Sequence, residues 1–384
     1  MTDSPAFDRR LFLQMTGIGA ATLAAPALAQ GSAGSDDMII VNALGGFGNP
    51  NAPRASGAIQ GTRQRALEPR VLADARASGM TAINVTLGYV AGDMEPFEHS
   101  IREIGRWDSR LRAHPDDLLK VLSAADIERA KREGRIGVIY GFQNAAMMGE
   151  DARRAEIFAD LGVRIIQLTY NGPNQIGDGS MAPDNRGISP FGREVIAALN
   201  ANRIMVDLSH SGERTCLEAA QISARPISIN HTGCRALTDL PRNKTDAELR
   251  LVAERGGFVG IYFMPFLNPR SVATPEDVVA HIDHAVNICG EDHVGIGTDG
   301  GTTAVDDMAA YRARTAQEIA DRRATGIGAT GENPDTLPFV EQLSGPTQFR
   351  DLVRLLERRG YSTARIEKIM GLNFVRYGRE IWGA

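Results

Sequence analysis

Short apolar runs alternate with amphipathic segments along most of the chain. The apolar runs are six to eight residues long, rich in valine and isoleucine, and end near glycine or polar residues, which is typical of buried strands. Eight runs predict strands, at residues 38–43, 80–87, 136–142, 163–170, 204–210, 226–231, 257–263 and 293–299. Apolar residues recurring every three or four positions predict helices between them, at residues 68–78, 124–133, 193–201, 213–222, 246–254 and 275–288.

The order of these elements predicts the fold class. Repeated βα units with continuously apolar strands form parallel sheets that helices cover. Eight such units favour a closed (β/α)8 barrel of TIM type, with an open doubly wound sheet as the alternative. Two polar stretches, residues 172–187 and 304–336, interrupt the pattern. We expect both near the mouth of the barrel, because functional loops gather there.

The first residues predict an export signal. Arg9 and Arg10 precede Leu11 in a pattern that resembles the twin-arginine motif, and an apolar stretch at 15–25 leads to an Ala-Leu-Ala cleavage site at 27–29. That apolar stretch is too short to span a bilayer. We therefore expect residues 1–29 to direct a folded protein to the periplasm and residues 30–384 to form a single barrel domain without a membrane span.

The charge excludes some classes of binding partner, and the cysteine content indicates the state of the thiols. The net charge is −5 and the basic residues form no long run, which argues against nucleic acid and anionic membrane surfaces. The three cysteines form no Cys-x-x-Cys pair. We expect mostly buried thiols, although one disulfide among them stays open at this stage.

Residues able to do chemistry follow several predicted strands. In a barrel of this type, the carboxyl ends of the strands carry the active site. These ends offer Gln143, Tyr170, Asp207 with His210, His231, and Asp299. Two histidines and a carboxylate at strand ends suit a metal-assisted hydrolase, in which imidazoles hold a divalent ion and the carboxylate moves protons. Hydrogen-bonded structural histidines are the alternative.

Several motifs resemble the renal (membrane) dipeptidase family of zinc hydrolases. They are "DLSHSGERT", "INHTGCRALTDLPRNKTD", "ERGGFVGIYFMPFL", "HIDHAVNICGEDHVGIGTD" and "RGYSTARIEKIMGLNFVRYG", in family order across nearly all of the chain after the signal. The resemblance implies a TIM-like barrel of the metal-dependent-hydrolase type that cleaves dipeptides or related amides at a two-zinc centre, as a homodimer.

The resemblance also implies roles for individual residues. His210 and His231 match the histidines that hold the second zinc, and Asp299 matches the aspartate that handles the proton of the attacking water. Arg235 matches the arginine that grips the substrate carboxylate. Asn174 follows a family-like segment in the loop after the fourth predicted strand, so we assign it to substrate binding.

Four positions depart from the family pattern. Leu44 and Gly46 stand where the family has the His-x-Asp ligands of the first zinc, and Gln143 replaces the glutamate that bridges both metals. Tyr170 replaces a histidine that contacts the substrate. Because an amide is a weak neutral zinc ligand, we expect one zinc or none. His210 and His231 would hold it with a third group, which is Asp299, Gln143 or water.

Three functions stay open on sequence alone. The first is a periplasmic dipeptidase-like metallohydrolase that uses one metal to cleave a dipeptide or a small amide. The second is a non-hydrolytic tailoring enzyme for a peptide-derived metabolite. The third is a catalytically inactive protein of this family that binds a peptide or metabolite.

Overall fold

The computed structural model describes residues 37–52, 66–324 and 330–383. The expected export signal at 1–29 lies outside these residues. Where the barrel domain begins therefore stays a prediction.

The described residues form nine strands and twelve α-helices in alternation. The strands are β1 (Val41–Gly45), β2 (Ala82–Leu87), β3 (Leu118–Lys120), β4 (Ile136–Phe142), β5 (Val163–Gln167), β6 (Met205–Asp207), β7 (Ser228–Thr232), β8 (Phe258–Ile261) and β9 (Val294–Ile296). The helices are α1 (Pro69–Ala77), α2 (Pro96–Ala113), α3 (Ala124–Glu133), α4 (Arg154–Asp160), α5 (Pro190–Ala201), α6 (Glu213–Ile222), α7 (Asp246–Glu254), α8 (Pro275–Cys289), α9 (Met308–Ala324), α10 (Gln348–Arg358), α11 (Thr363–Glu367) and α12 (Asn373–Trp382).

Eight of the strands form one parallel sheet in the order β1-β2-β4-β5-β6-β7-β8-β9. All eight predicted strands are therefore confirmed. The short strand β3 was not predicted, and it lies off this path. It pairs with the first residues of β4, where Leu118 is opposite Ile136, and β5 pairs with β4 only from Tyr140 onward.

The first and last strands of the sheet meet and close a barrel. Gly45 pairs with Gly300 in parallel orientation just beyond β9. The side chain of Asn42 strengthens this seam, because its amide donates to Thr298 Oγ1 over 2.9 Å and its Oδ1 accepts from the Thr298 N–H over 2.8 Å. The closed (β/α)8 barrel is thus confirmed, and the open doubly wound alternative is wrong.

Local sequence signals set where the outer helices begin. Capping boxes open α3, α7 and α8, in which Ser123, Thr245 and Thr274 are paired with an acidic residue three positions later. Each pair satisfies N–H groups that the first helical turn leaves without partners. The apolar faces of these helices pack on the outside of the barrel, and Cys216, Cys234 and Cys289 are free, buried thiols within that core.

The two polar stretches lie beside the carboxyl ends of the strands, as predicted. Helix α9 lies within the second stretch, and Thr315 of α9 and Met181 of the first stretch line the same cavity. Within the described part of the chain, no helix is both long and apolar enough to cross a membrane.

Candidate active site at the carboxyl ends of the strands

Two buried imidazoles lie side by side at the ends of β6 and β7. The ring centroids of His210 and His231 are 5.0 Å apart and the ring planes are tilted by 57°. Burial lowers the pKa of both rings well below the usual histidine value, and the nearby positive charge of Arg242 lowers it further. Both imidazoles are therefore neutral at pH 7, which is the form that binds metal ions.

The hydrogen bonds of these rings leave metal-binding nitrogens without partners. His210 Nδ1 lies 2.6 Å from Asn171 Oδ1, and since that oxygen can only accept, Nδ1 carries the proton. His210 Nε2 and both ring nitrogens of His231 are buried and have no hydrogen-bond partner. Unpartnered polar atoms this deeply buried call for an explanation, and a bound ion or water supplies one.

The ring of Tyr170 packs against the ring of His210. The two rings are stacked, with centroids 4.2 Å apart and planes 25° from parallel. Burial raises the pKa of the Tyr170 phenol, so it is a neutral hydrogen-bond donor at pH 7. Tyr170 and His210 both line a cavity of about 190 Å³ at the barrel mouth.

Asp299 lines the same cavity and lies just beyond β9. Its backbone is left-handed with φ 57°, and its N–H donates to Leu44 O over 2.9 Å. Residues other than glycine rarely adopt such a φ. The contact with β1 therefore holds Asp299 in an unfavourable backbone conformation. Burial raises the pKa of the carboxyl group to about 6, against the opposing effect of Arg242.

Arg242 lines this cavity and was not predicted from the sequence. It is 8% exposed, it borders the same cavity as Asp299, and its guanidinium donates to Ser209 O. It also lies over the ring of Tyr262, with 5.9 Å between the guanidinium carbon and the ring centroid. Arg242 therefore places a positive charge at the wall of the cavity.

Arg235, the arginine that we predicted for this role, points elsewhere. Its Nη1 is 3.2 Å from Glu213 Oε2 and its Nε donates to Asn243 O over 3.2 Å. It is not among the residues that line the cavity. Both arginines follow His231 in one loop, and only the fold of that loop shows that Arg242 is the one that reaches the cavity.

Gln143 is held by neighbouring strands. Its Nε2 donates to Thr86 Oγ1 over 2.6 Å, and its backbone carbonyl accepts from Gln167 Nε2. These contacts leave the side-chain oxygen as the one atom of Gln143 that could approach a metal. Its assignment as a weak ligand stays a prediction.

Asn174 fixes the conformation of its own loop. Its Nδ2 donates to Asn144 Oδ1 and to Leu168 O, each over 2.8 Å, while its Oδ1 accepts from the N–H of Ile176. The neighbouring Asn171 borders the cavity, and Asn174 does not. Its assignment to substrate binding also stays a prediction, and these contacts give it a structural role.

The end of β1 contributes no metal ligand. Leu44 is 2% exposed and packs in the barrel, and a Cβ added at Gly46 would meet no atom within 4 Å. In residues 37–52, 66–324 and 330–383, no three His, Cys, Asp or Glu side chains are grouped as a metal site. His210 and His231 are thus the two unpartnered imidazoles that this part of the barrel offers to a metal ion.

Comparisons with known proteins give one family match and several similar proteins. A family model described as membrane dipeptidase (peptidase family M19) matches residues 92–326. An uncharacterized Klebsiella pneumoniae protein from the pqqA 5′ region is 34% identical over 71% of this chain and 93% of its own length. Dipeptidase tcpJ of Claviceps purpurea is 29% identical over 71% of this chain, and the match spans 57% of the Claviceps protein. The crystal structure of an amidohydrolase from Pseudomonas aeruginosa superimposes with a TM-score of 0.74 at 31% identity, covering 91% of this chain and 98% of that one.

Proposed function

Because this chain belongs to the membrane dipeptidase family, we propose that it hydrolyses a dipeptide or a related small amide with one metal ion rather than two. The observation that carries the proposal is the cavity itself. It places the cation of Arg242 and the carboxylate of Asp299 beside His210, which His231 adjoins. A carboxylate-binding group, a proton acceptor and metal-binding nitrogens are together what metal-assisted hydrolysis of a dipeptide would use.

Arg242 binds the terminal carboxylate of the substrate. A guanidinium offers a planar fork of donors that matches a carboxylate, and burial strengthens the attraction because little water screens it. Its remaining contacts, to Ser209 O and the Tyr262 ring, hold the side chain in place before the substrate arrives. Tyr170 adds a neutral hydroxyl donor on the His210 side of the cavity.

His210 and His231 are the residues that would hold the ion. A single Zn²⁺ bound there would polarise the amide carbonyl and acidify water. Asn171 fixes the His210 ring with Nε2 unprotonated, as metal binding requires. Asp299 accepts the proton of the attacking water and passes it to the leaving amine.

Hydrolysis of L-Ala-L-Ala tests the function. We expect the metal-loaded protein to release free alanine, a chelator to stop the reaction, and one equivalent of zinc per chain to restore it. Metal-loaded protein that cleaves no member of a dipeptide panel would contradict the proposal.

Metal content tests the site independently of activity. We predict that His210→Ala lowers bound zinc below half an equivalent per chain, because one imidazole alone is a poor zinc site. The matched control is His284→Ala, since His284 contacts Asp246 on the outer helices. Elemental analysis of purified protein measures both variants. Equal metal content in wild type and His210→Ala would refute the assignment.

The pH dependence of hydrolysis reports on Asp299. A proton acceptor works only when ionised, and burial raises the pKa of this carboxyl group to about 6. We therefore expect kcat/KM to rise about tenfold per pH unit below 6 and to level off above it. A rate that falls between pH 5 and 7 would exclude Asp299 as the base.

We also propose that the protein acts in the periplasm. The twin-arginine pattern at Arg9 and Arg10 supports this location, and those residues lie outside the described ranges. The homodimer implied by the resemblance stays a prediction.

A further inference from the structure

A second cavity of about 310 Å³ adjoins the first. It is bordered by the loop after β1, by α9 and by the segment from 338 to 348, and Asp299 and Pro338 line both cavities. Asp299 therefore lies between two chambers. We call the first cavity the Arg242 chamber and the second cavity the Arg314 chamber.

The walls of the Arg314 chamber are mostly apolar and aromatic. Phe263, Tyr311, Phe339 and Leu343 contribute much of this surface. Burial of apolar substrate atoms against these side chains would favour binding by the hydrophobic effect. Such a surface alone would accept many side chains and would select poorly among them.

One cation breaks this apolar lining. Arg314 of α9 donates from Nη2 to Pro50 O over 2.9 Å, and its guanidinium carbon lies 4.8 Å from the centroid of the Tyr311 ring. Among the described residues, no carboxylate forms an ion pair with it, whereas Arg312 on the same helix is paired with Glu341. Arg314 thus brings to the chamber a positive charge that forms no ion pair among the described residues.

A second polar group in the lining also lacks a partner. Thr303 Oγ1 is buried within the chamber wall and forms no hydrogen bond. A buried hydroxyl normally finds a partner, so this atom is available to a ligand. A cation and a free hydroxyl in an apolar chamber suit a carboxylate on a short aliphatic stem.

The geometry points to an acidic side chain in the Arg314 chamber, on the amino-terminal residue of the dipeptide. This inference rests on the proposed function. With the terminal carboxylate at Arg242 and the scissile bond at Asp299, the amino-terminal half of the substrate falls on the far side of Asp299. Arg314 and Thr303 then bind its side-chain carboxylate, so the substrate class is glutamyl or aspartyl dipeptides.

A matched peptide pair tests this specificity. L-Glu-L-Ala and L-Gln-L-Ala differ only in the charged group, and we expect wild type to prefer the first by about tenfold in kcat/KM, as a charge-assisted hydrogen bond would give. Arg314→Gln should reduce the ratio to about one, and Arg314→Lys should keep part of it. Arg312→Gln is the control on the same helix, and its ratio should equal that of wild type.

Calorimetric binding separates this inference from the proposed function. The same pair is titrated into Asp299→Asn protein with and without Arg314→Gln, so that hydrolysis does not interfere. A preference in Kd for L-Glu-L-Ala that Arg314→Gln abolishes supports the chamber even if wild type cleaves neither peptide. Equal Kd values for the two peptides, or no binding of either, overturn the chamber assignment even if wild type hydrolyses dipeptides.

Discussion

Asp299→Asn is expected to lower kcat by about 10²–10⁴-fold, the usual contribution of a positioned general base. Among the described residues, Asp299 is the one acid that borders both the Arg242 chamber and the Arg314 chamber, and its raised pKa suits proton transfer near neutral pH. The amide has nearly the same shape and cannot accept the proton. A stopped assay of L-Ala-L-Ala hydrolysis measures the loss.

The choice of asparagine separates chemistry from folding. Asp299 has a left-handed backbone at φ 57°, which asparagine tolerates better than alanine does. The backbone hydrogen bond to Leu44 is also retained, so the thermal midpoint should stay close to that of wild type. If Asp299→Asn keeps more than a tenth of the wild-type kcat, another group is the base.

Lys244→Met is expected to destabilise the protein by about 3–5 kcal/mol, because it leaves a buried carboxylate unpaired. The side chains of Lys244 and Glu248 are 2% and 1% exposed, and Lys244 Nζ lies 3.2 Å from Glu248 Oε1. The ammonium also donates to Ser211 O in the loop after β6. Urea unfolding, followed by circular dichroism, measures the free energy of unfolding.

The double variant Lys244→Met with Glu248→Gln is the matched control. Glutamine can still accept from the N–H of Thr245 and so complete the cap of α7 that Glu248 now provides. With both charges removed, most of the lost stability should return. A double variant as unstable as the single one would show that packing of the lysine, rather than the unpaired charge, causes the effect.

Regular elements were predictable where their patterns were long enough. Helices α3, α6 and α7 begin and end at the predicted residues, since each has a regular amphipathic pattern, and capping boxes also mark the starts of α3 and α7. Strand β3 has only three residues, too few for an apolar run to stand out. It forms by pairing with the first residues of β4, which β5 does not reach because β5 pairs with β4 only from Tyr140 onward.

The site residues at the ends of strands were predictable from the sequence, but the choice between neighbouring residues in the loops was not. His210, Tyr170 and Asp299 meet at one cavity because parallel strands bring their carboxyl ends together. Loops follow no such rule, so the sequence could not show that Arg242 faces the cavity while Arg235 pairs with Glu213. Nor could it show that the amide of Asn174 is used within its own loop.

The end of β1 limits how the His-x-Asp ligand pair of the family pattern could be introduced into this chain. Position 46 has open space for the aspartate of the family pattern, but position 44 holds a leucine packed in the barrel. A histidine introduced there first would bury a polar ring without a partner and weaken the fold before any ion could bind. An aspartate introduced alone would give a lone ligand and no advantage. The aspartate would therefore have to come before the histidine, and the order of these two substitutions decides whether the fold is weakened on the way to a second ligand pair.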